Sequence, residues 1–218
     1  MGKSDFLRRR AAALSGPLPL PLPLPLPVPA AHRRRALACL ALVASCALAG
    51  CAGFSRSVGT RAPDVHYEPT PDNIVAQMVA LAKVGPNDLV YDLGCGDGRT
   101  VIAAVKAGAR GDCVDIDPQR IRESRANAAA AGVSARIRFL EQDLFTTDFR
   151  DASVVILFLW PDLNLKLRPQ LMRDLRPGAR VLSYVHDMGD WKPRQTLRVQ
   201  GAHGERNLHL WIIEAAAR

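Results

Sequence analysis

The cysteine spacings that are typical of metal sites and disulfide frameworks are missing from this sequence. Its cysteines form neither a C-x-x-C pair nor a Cys/His cluster at metal-ligand spacing. They are Cys39, Cys46, Cys51, Cys95 and Cys113. We therefore expect no metal site and no disulfide framework. Cys95 and Cys113 each fall beside a predicted parallel strand, and we interpret both as small buried thiols.

A long apolar run is missing as well. The run from Ala36 to Ala49 is about 14 residues long, whereas a helix that spans a bilayer needs about 20. Basic residues precede the run and "LAGC" ends it at Cys51, the order found in secretory signals. This ending resembles the bacterial lipobox, in which the cysteine is lipidated. We expect lipidation of Cys51 and a membrane-anchored lipoprotein facing the periplasm or the exterior. The alternatives are an uncleaved apolar anchor, or a buried helix in a cytoplasmic protein.

The segment before this signal has low complexity. "GPLPLPLPLPLPVP" (residues 16–29) cannot form a helix, since each proline lacks a donor, and polyproline II is its default conformation. One hypothesis is that translation starts near Val28. We divide the chain into a leader (residues 1–50), a tether (51–65) and one domain (66–218).

Strong net charge is also missing once the leader is set aside. The 218 residues include 29 Lys and Arg and 21 Asp and Glu. Seven of the basic residues and one acidic residue lie in residues 1–50, which leaves 22 basic and 20 acidic residues. Such a balance gives little support for nucleic-acid binding, and we expect no nucleic-acid partner.

Strand and helix signals alternate from His66 onward. Thr70 is expected to cap a helix that begins at Pro71, and another helix is expected from Leu163 to Leu175. "SVVILFL" is apolar throughout, as in a central parallel strand buried on both faces. We predict an α/β fold with a doubly wound, mostly parallel, seven-stranded Rossmann-like sheet in a single domain. The ligand should bind at the carboxyl ends of the strands, beside the first one.

The glycine-rich stretch "VYDLGCGDGRT" (residues 90–100) lies at that place, but two nucleotide-binding patterns are absent from it. No G-K-[ST] follows, which excludes a P-loop, and Arg99 stands where the third glycine of G-x-G-x-x-G belongs. Asp92 at the end of the strand would repel a pyrophosphate, which disfavours a nicotinamide dehydrogenase. The same carboxylate suits a ligand that carries an ammonium group, such as S-adenosylmethionine.

The pattern D-L-G-C-G-D-G resembles the first motif of class I S-adenosylmethionine-dependent methyltransferases. The resemblance implies that Asp115 in "CVDIDP" holds the ribose hydroxyls, and that Asp143 in "EQDLF" approaches the adenine amino group with Leu144 packing the ring. The cofactor-binding residues that we predict are Tyr67, Thr70, Asp92, Gly94, Cys95, Gly96, Gly98, Asp115, Ile116, Asp143 and Leu144.

A narrower resemblance links the domain to the small protein-lysine methyltransferases of mitochondria and prokaryotes. It rests on "YEPTP", "LKLRPQLMRDLRPGARVLS" and "GDWKP". It implies that Tyr67 and Thr70 lie near the cofactor and that Trp191 and Pro193 border the substrate entrance. "WPDLN", after the fourth strand, offers Trp160 and Asn164 for the same entrance.

The acceptor is less defined by the sequence than the cofactor is. No N-P-P-[YF] follows the fourth strand, which weakens an adenine-type amine acceptor. An amine must lose a proton before it attacks, and the groups offered after the fifth strand are Tyr184, His186 and Asp187. We expect a monomer that methylates a protein, with lysine as the leading acceptor. A small-molecule methyltransferase and a lipid-anchored binding protein without turnover are the alternatives.

Overall fold

The computed structural model describes Ala62 and residues 66–215. The predicted leader, the predicted lipidation site Cys51 and all of the predicted tether except Ala62 lie outside these residues. The helices within them are α1 (Asp72–Leu81), α2 (Arg99–Lys106), α3 (Pro118–Ala130) and α4 (Pro161–Asp174). The strands are β1 (Leu89–Leu93), β2 (Arg110–Asp115), β3 (Ile137–Glu141), β4 (Val154–Leu157), β5 (Arg180–Tyr184), β6 (Gln195–Gly201) and β7 (Gly204–Ile212).

These seven strands form one sheet in the order β3-β2-β1-β4-β5-β7-β6. Strands β1 to β5 are parallel to one another, and β7 runs antiparallel to both β5 and β6. Strand order reverses between β1 and β4, which makes that gap the switch point of the sheet. The predicted Rossmann-like fold is therefore confirmed.

Alternating side chains of the strands build a core on each face of the sheet. On one face, Val90 and Ile156 pack with Ile74 and Met78 of α1. On the other, Leu157 packs with helix α4 and with the fully buried Trp211. This alternation is what two-sided burial of central parallel strands requires.

Two helix starts differ from their predicted positions. Helix α1 begins at Asp72 after an N-cap at Pro71, and it has no side-chain cap bond. Thr70 is instead buried, and its carbonyl accepts a hydrogen bond from Arg99 at 3.0 Å. Helix α4 begins at Pro161, two residues before the predicted start, because proline is tolerated in a first helical turn, where its missing donor has no partner.

Within residues 66–215 and Ala62, every helix falls short of the length and apolarity that crossing a membrane demands. The same residues contain no group of three or more His, Cys, Asp or Glu side chains that could hold a metal ion.

Candidate cofactor site

The loop that joins β1 to α2 is turned by three left-handed glycines. Gly94, Gly96 and Gly98 have φ values of +82°, +54° and +79°, a region that side chains with a Cβ rarely adopt. A Cβ on Gly94 would lie 2.8 Å from Leu159, and one on Gly96 would lie 2.3 Å from the Tyr67 ring. Other residues at these two positions would therefore collide with the walls around the loop.

The loop is also bonded covalently to the neighbouring strand, which corrects the prediction of two free thiols. Cys95 and Cys113 form a disulfide, with their Cα atoms 5.3 Å apart, a separation that suits such a bond. Cys113 of β2 lies opposite Asp92 of β1 in the parallel register, and the loop folds back over it. The pairing depends on that register, so the spacing of 18 residues along the chain did not reveal it.

Asp92 is buried at the end of β1, and one of its oxygens lacks a partner among the described residues. Its carboxylate accepts a hydrogen bond from the amide of Val101 in the first turn of α2. Oδ2 is buried and accepts no hydrogen bond from the described part of the chain. Desolvation raises the pKa of Asp92 to about 7, with smaller contributions from Asp115 and Asp97. A cationic group beside Oδ2 would satisfy it.

Asp115 ends β2 and connects the glycine loop to the next turn. Its Oδ2 accepts from the Gly96 amide and its Oδ1 from the Asp117 amide, both at 2.9 Å. Burial raises the pKa of Asp115, although these two amide bonds oppose the rise. Each carboxylate oxygen can accept a second hydrogen bond, so the side chain can still bind the hydroxyls of a ligand.

Asp143 follows β3 and caps a short 3-10 turn, Leu144–Thr146. Its Oδ1 accepts from the amide of Phe145 at 2.9 Å. This contact fixes the side chain at the edge of the sheet, beside Leu144.

These strand ends surround a cavity of about 440 Å³. Six of the predicted cofactor residues line it: Tyr67, Gly94, Asp115, Ile116, Asp143 and Leu144. Asp92, Thr70 and Cys95 line a narrower recess that shares Tyr67 and Gly94 with the cavity. Gly96 lies under the Tyr67 ring, and a Cβ on Gly98 would meet Ser124 of α3 at 2.8 Å, so Gly98 permits close packing of that helix.

Sequence reasoning missed several residues of the cavity wall. They are His66, Glu68, Val114, Asp117, Arg120, Gln142, Phe158, Leu159 and Leu163. The Arg120 guanidinium lies 4.5 Å from the centre of the Tyr67 ring and forms ion pairs with Asp117 and Glu123. The i, i+3 spacing of these charges on α3 was visible in the sequence, but their contact with Tyr67 was not.

Three of the four residues predicted at the substrate entrance lie in different surroundings. Trp160, at the start of α4, is 57% exposed. Asn164 is fully buried and donates to Ser183 Oγ at 3.0 Å, so its place at the entrance is corrected: it joins α4 to the end of β5. Trp191 packs against Trp211, with ring centres 5.6 Å apart, and does not line the cavity.

The residues predicted for proton transfer lie at the end of β5. Tyr184 is buried and packs on the cavity residue Phe158, with ring centres 4.9 Å apart. Asp187 Oδ1 accepts from the amide of Gly189 at 3.0 Å and so closes a turn. His186 is half-buried, and desolvation lowers its pKa.

The site fits S-adenosylmethionine in charge as well as in shape. That molecule carries an ammonium and a sulfonium, and the buried Oδ2 of Asp92 and the carboxylates of Asp115 and Asp143 are complementary to positive charge or to hydroxyls. The glycine loop exposes backbone where a bulky side chain would block a ligand.

Comparison with known proteins identifies the family and the cofactor. Residues 92–195 match the model of the ANTKMT methyltransferase domain. The protein-lysine N-methyltransferase of Saccharolobus islandicus (strain REY15A) is 38% identical over 153 residues, which are 69% of this chain and 95% of that protein. The adenine nucleotide translocase lysine N-methyltransferase of Mus musculus is 34% identical over 120 residues, and the match covers 55% of this chain and 52% of the mouse protein.

Among solved structures, an RNA methyltransferase from Salinibacter ruber was crystallised with S-adenosyl-L-homocysteine. It superposes with a TM-score of 0.65 at 43% identity, covering 69% of this chain and 97% of the other. The cofactor type and the fold are thus shared with proteins that match at high coverage. The chain accordingly belongs to the S-adenosylmethionine-dependent methyltransferases that carry the ANTKMT methyltransferase domain, and it is an enzyme of that class.

Proposed function

We propose that the methyl acceptor is the ε-amino group of a lysine in a protein. The relative from Saccharolobus islandicus, described as a protein-lysine N-methyltransferase, supports this acceptor because the match covers 95% of its length. The observation that carries the proposal is the charge of the cavity wall.

That wall is rich in carboxylates, with Glu68, Asp115, Asp117 and Asp143 among its residues. Of the described residues, Arg120 is the single Arg or Lys in the wall, and its charge is already engaged by Asp117 and Glu123. A cationic lysine is attracted to such a surface, whereas the phosphates of a nucleic acid are repelled.

The chain's residues would act mainly by binding and alignment. S-adenosylmethionine, when bound, supplies a methyl group that its sulfonium makes electrophilic. Asp92 and Asp115 would hold the ligand through charge and hydrogen bonds, and the glycine loop would let the backbone approach it. Tyr67 and Leu159 pack over the loop and line the cavity. Transfer of this kind depends on orientation and needs no catalytic triad.

The test is transfer of a labelled methyl group into a membrane extract. Label is expected in protein and, after acid hydrolysis, in methylated lysine. The Asp115→Ala variant should lose both labelling and cofactor binding while its circular dichroism spectrum is unchanged. Label in small molecules, or cofactor binding without any labelling, would contradict the proposal and favour a small-molecule acceptor or a binding protein without turnover.

RNA is the second acceptor to test, because the Salinibacter ruber protein is described as an RNA methyltransferase. The same extract should be divided and treated with ribonuclease or with protease before the labelled fraction is counted. Protease-sensitive label supports lysine methylation, and ribonuclease-sensitive label replaces it with RNA methylation.

We also propose that the protein is an exported lipoprotein, anchored through Cys51, that acts as a monomer. The basic and apolar leader that ends in "LAGC" supports this location. The Cys95–Cys113 disulfide supports this location independently, since such bonds persist in oxidising compartments and are rare in the cytosol.

Globomycin treatment, which blocks cleavage of lipoprotein signals, should cause the precursor to accumulate. A Cys51→Ala variant should behave differently from wild type in membrane fractionation; identical fractions would contradict the anchor, and sedimentation of a dimer would contradict the monomer.

A further inference from the structure

The loop that follows β5 is held through its backbone carbonyls. We call residues 185–191 the post-β5 loop. Side chains from α4, β5 and β7 donate to three of its carbonyls over distances of 2.6–3.2 Å: Asn164 and Ser183 to His186, Arg168 to Met188, and Trp211 to Trp191. These four hydrogen bonds hold the main chain of the loop in one defined conformation.

The loop begins with a strained turn. Val185 has φ of +71°, a conformation that is costly for a β-branched residue. The amide of His186 donates to the carbonyl of Tyr184 at 3.0 Å, which closes a γ-turn of the rare kind. The amide of Val185 donates to the carbonyl of Asn207 at 2.8 Å. The ring of His209 donates to the carbonyl of Val185. Strain of this kind persists where the surroundings impose it, and it is concentrated at functional sites.

The turn lies behind one wall of the cofactor cavity, and the loop residues themselves are not among those that line it. Tyr184, directly before it, packs on the cavity residue Phe158. Glu68, another cavity residue, lies within electrostatic range of His186. The charged and titratable groups that face His186 are Glu68 from the N-terminal segment, Asp187 from the loop and His209 from β7. Burial lowers the pKa of His186 and the two carboxylates oppose that effect, so its imidazole is mostly neutral at pH 7.5.

We propose that His186 is the proton acceptor for the attacking amine and that the strained turn holds it beside the cavity wall that Phe158 forms. The proposal rests on the proposed lysine acceptor. The acceptor arrives as an ammonium, and its N–H bond breaks as the proton moves to the imidazole. The lone pair left on nitrogen forms the new C–N bond, and the methyl–sulfur bond electrons remain on sulfur. The imidazolium then returns its proton to water.

The test compares wild type with His186→Gln as a function of pH, using the detergent-solubilised membrane extract and counting labelled methyllysine. At pH 7.5 the initial rate of the variant should fall about 100-fold, the scale of one lost proton acceptor. The deficit should shrink by about tenfold for each pH unit and vanish between roughly pH 9 and pH 10, as the pH approaches the pKa of a free lysine. Calorimetric affinity for S-adenosylmethionine should be unchanged within about twofold.

Arg173→Gln is the control variant, because it changes an exposed side chain of α4 that does not line the cavity, and its rate and pH profile should equal those of wild type. If the His186→Gln variant does not fold, the pH dependence of wild type tests the proposal instead. The wild-type rate of methyl transfer should fall at low pH, with a midpoint equal to that of the His186 ring in an NMR titration.

A loss that is the same at every pH, or two midpoints that differ by more than one pH unit, overturns the role of His186. If wild type itself forms no methyllysine, the proposed lysine acceptor fails, and the role of His186 fails with it.

Discussion

Asp92 shows how one buried carboxylate can link cofactor binding to pH. Its pKa is raised to about 7 by desolvation, so the folded protein holds a proton there that the unfolded chain loses near pH 4. The stability of the ligand-free protein should therefore fall as pH rises from about 4 to 7. Asp92→Asn should remove this dependence and stabilise the ligand-free protein at pH 8 by on the order of 2 kcal/mol, as measured by urea unfolding.

The affinity for S-adenosylmethionine should rise with pH, whereas the stability of the ligand-free protein falls. A cation beside Oδ2 favours the ionised carboxylate, so wild-type affinity should increase between pH 6 and pH 8. The Asn variant should bind more weakly and with no such increase, which calorimetry at the two pH values can measure. Equal affinities of wild type at both pH values would rule out contact between the cation and Asp92.

Gly96 occupies a position in the glycine loop where there is no room for a side chain. Its φ of +54° and the Tyr67 ring 2.3 Å from a built Cβ both oppose any side chain. Gly96→Ala should weaken calorimetric binding of S-adenosylmethionine by at least tenfold, because the loop or Tyr67 must move into the ligand's space. Gly85→Ala is the matched control: no described atom lies within 4 Å of its Cβ and its φ is not left-handed, so binding should not change.

At the scale of elements, hydrogen bonds and a disulfide connect the glycine loop to β2. The amides of Gly94 and Cys95 donate to Val114, and the disulfide with Cys113 adds a covalent link. The double variant Cys95→Ser, Cys113→Ser should lose on the order of 3 kcal/mol of unfolding free energy, the amount expected for opening a loop of this length. Its affinity for S-adenosylmethionine should fall several-fold, since the loop is freer before binding.

Urea unfolding and calorimetry with and without dithiothreitol measure these two effects. Dithiothreitol should move wild type toward the variant and leave the variant unchanged. If wild type and variant are equally stable without the reductant, the disulfide does not support the loop.

Helix α4 is likewise connected to the post-β5 loop, through hydrogen bonds from its side chains. The sequence placed Asn164 at the substrate entrance because "WPDLN" follows β4 at the ligand edge of the sheet. The structure instead buries Asn164, since its position one turn into α4 turns the side chain toward Ser183 and the post-β5 loop. The prediction failed because the direction of a helical side chain depends on where the helix begins, and the helix begins at Pro161.

At the scale of the whole molecule, every described residue that lines the cavity lies between His66 and Leu163. A truncated protein that starts at residue 62 should therefore bind S-adenosylmethionine with the affinity of the full chain within about twofold. Calorimetry on both proteins measures this, with Asp115→Ala in each as the inactive control. Weaker binding by the truncated protein would show that the leader or the tether contributes to the site.

The sequence alone determined the α/β fold and the cofactor class. Alternating strands and helices, the glycine loop and the acids at Asp92, Asp115 and Asp143 are local features, and their order along the chain is enough to define the edge of the sheet where they meet. Local rules of helix capping and strand burial act over a few residues, so a linear sequence shows them.

Only the tertiary structure decided what closes that edge. Three contacts join residues through strand register or through packing between distant segments. They are the Cys95–Cys113 bond, the stacking of Arg120 on Tyr67, and the hydrogen bond from Val185 to Asn207 that holds the strained turn. Such contacts depend on the relative positions of whole elements, which the burial of the core sets and which no short stretch of sequence encodes.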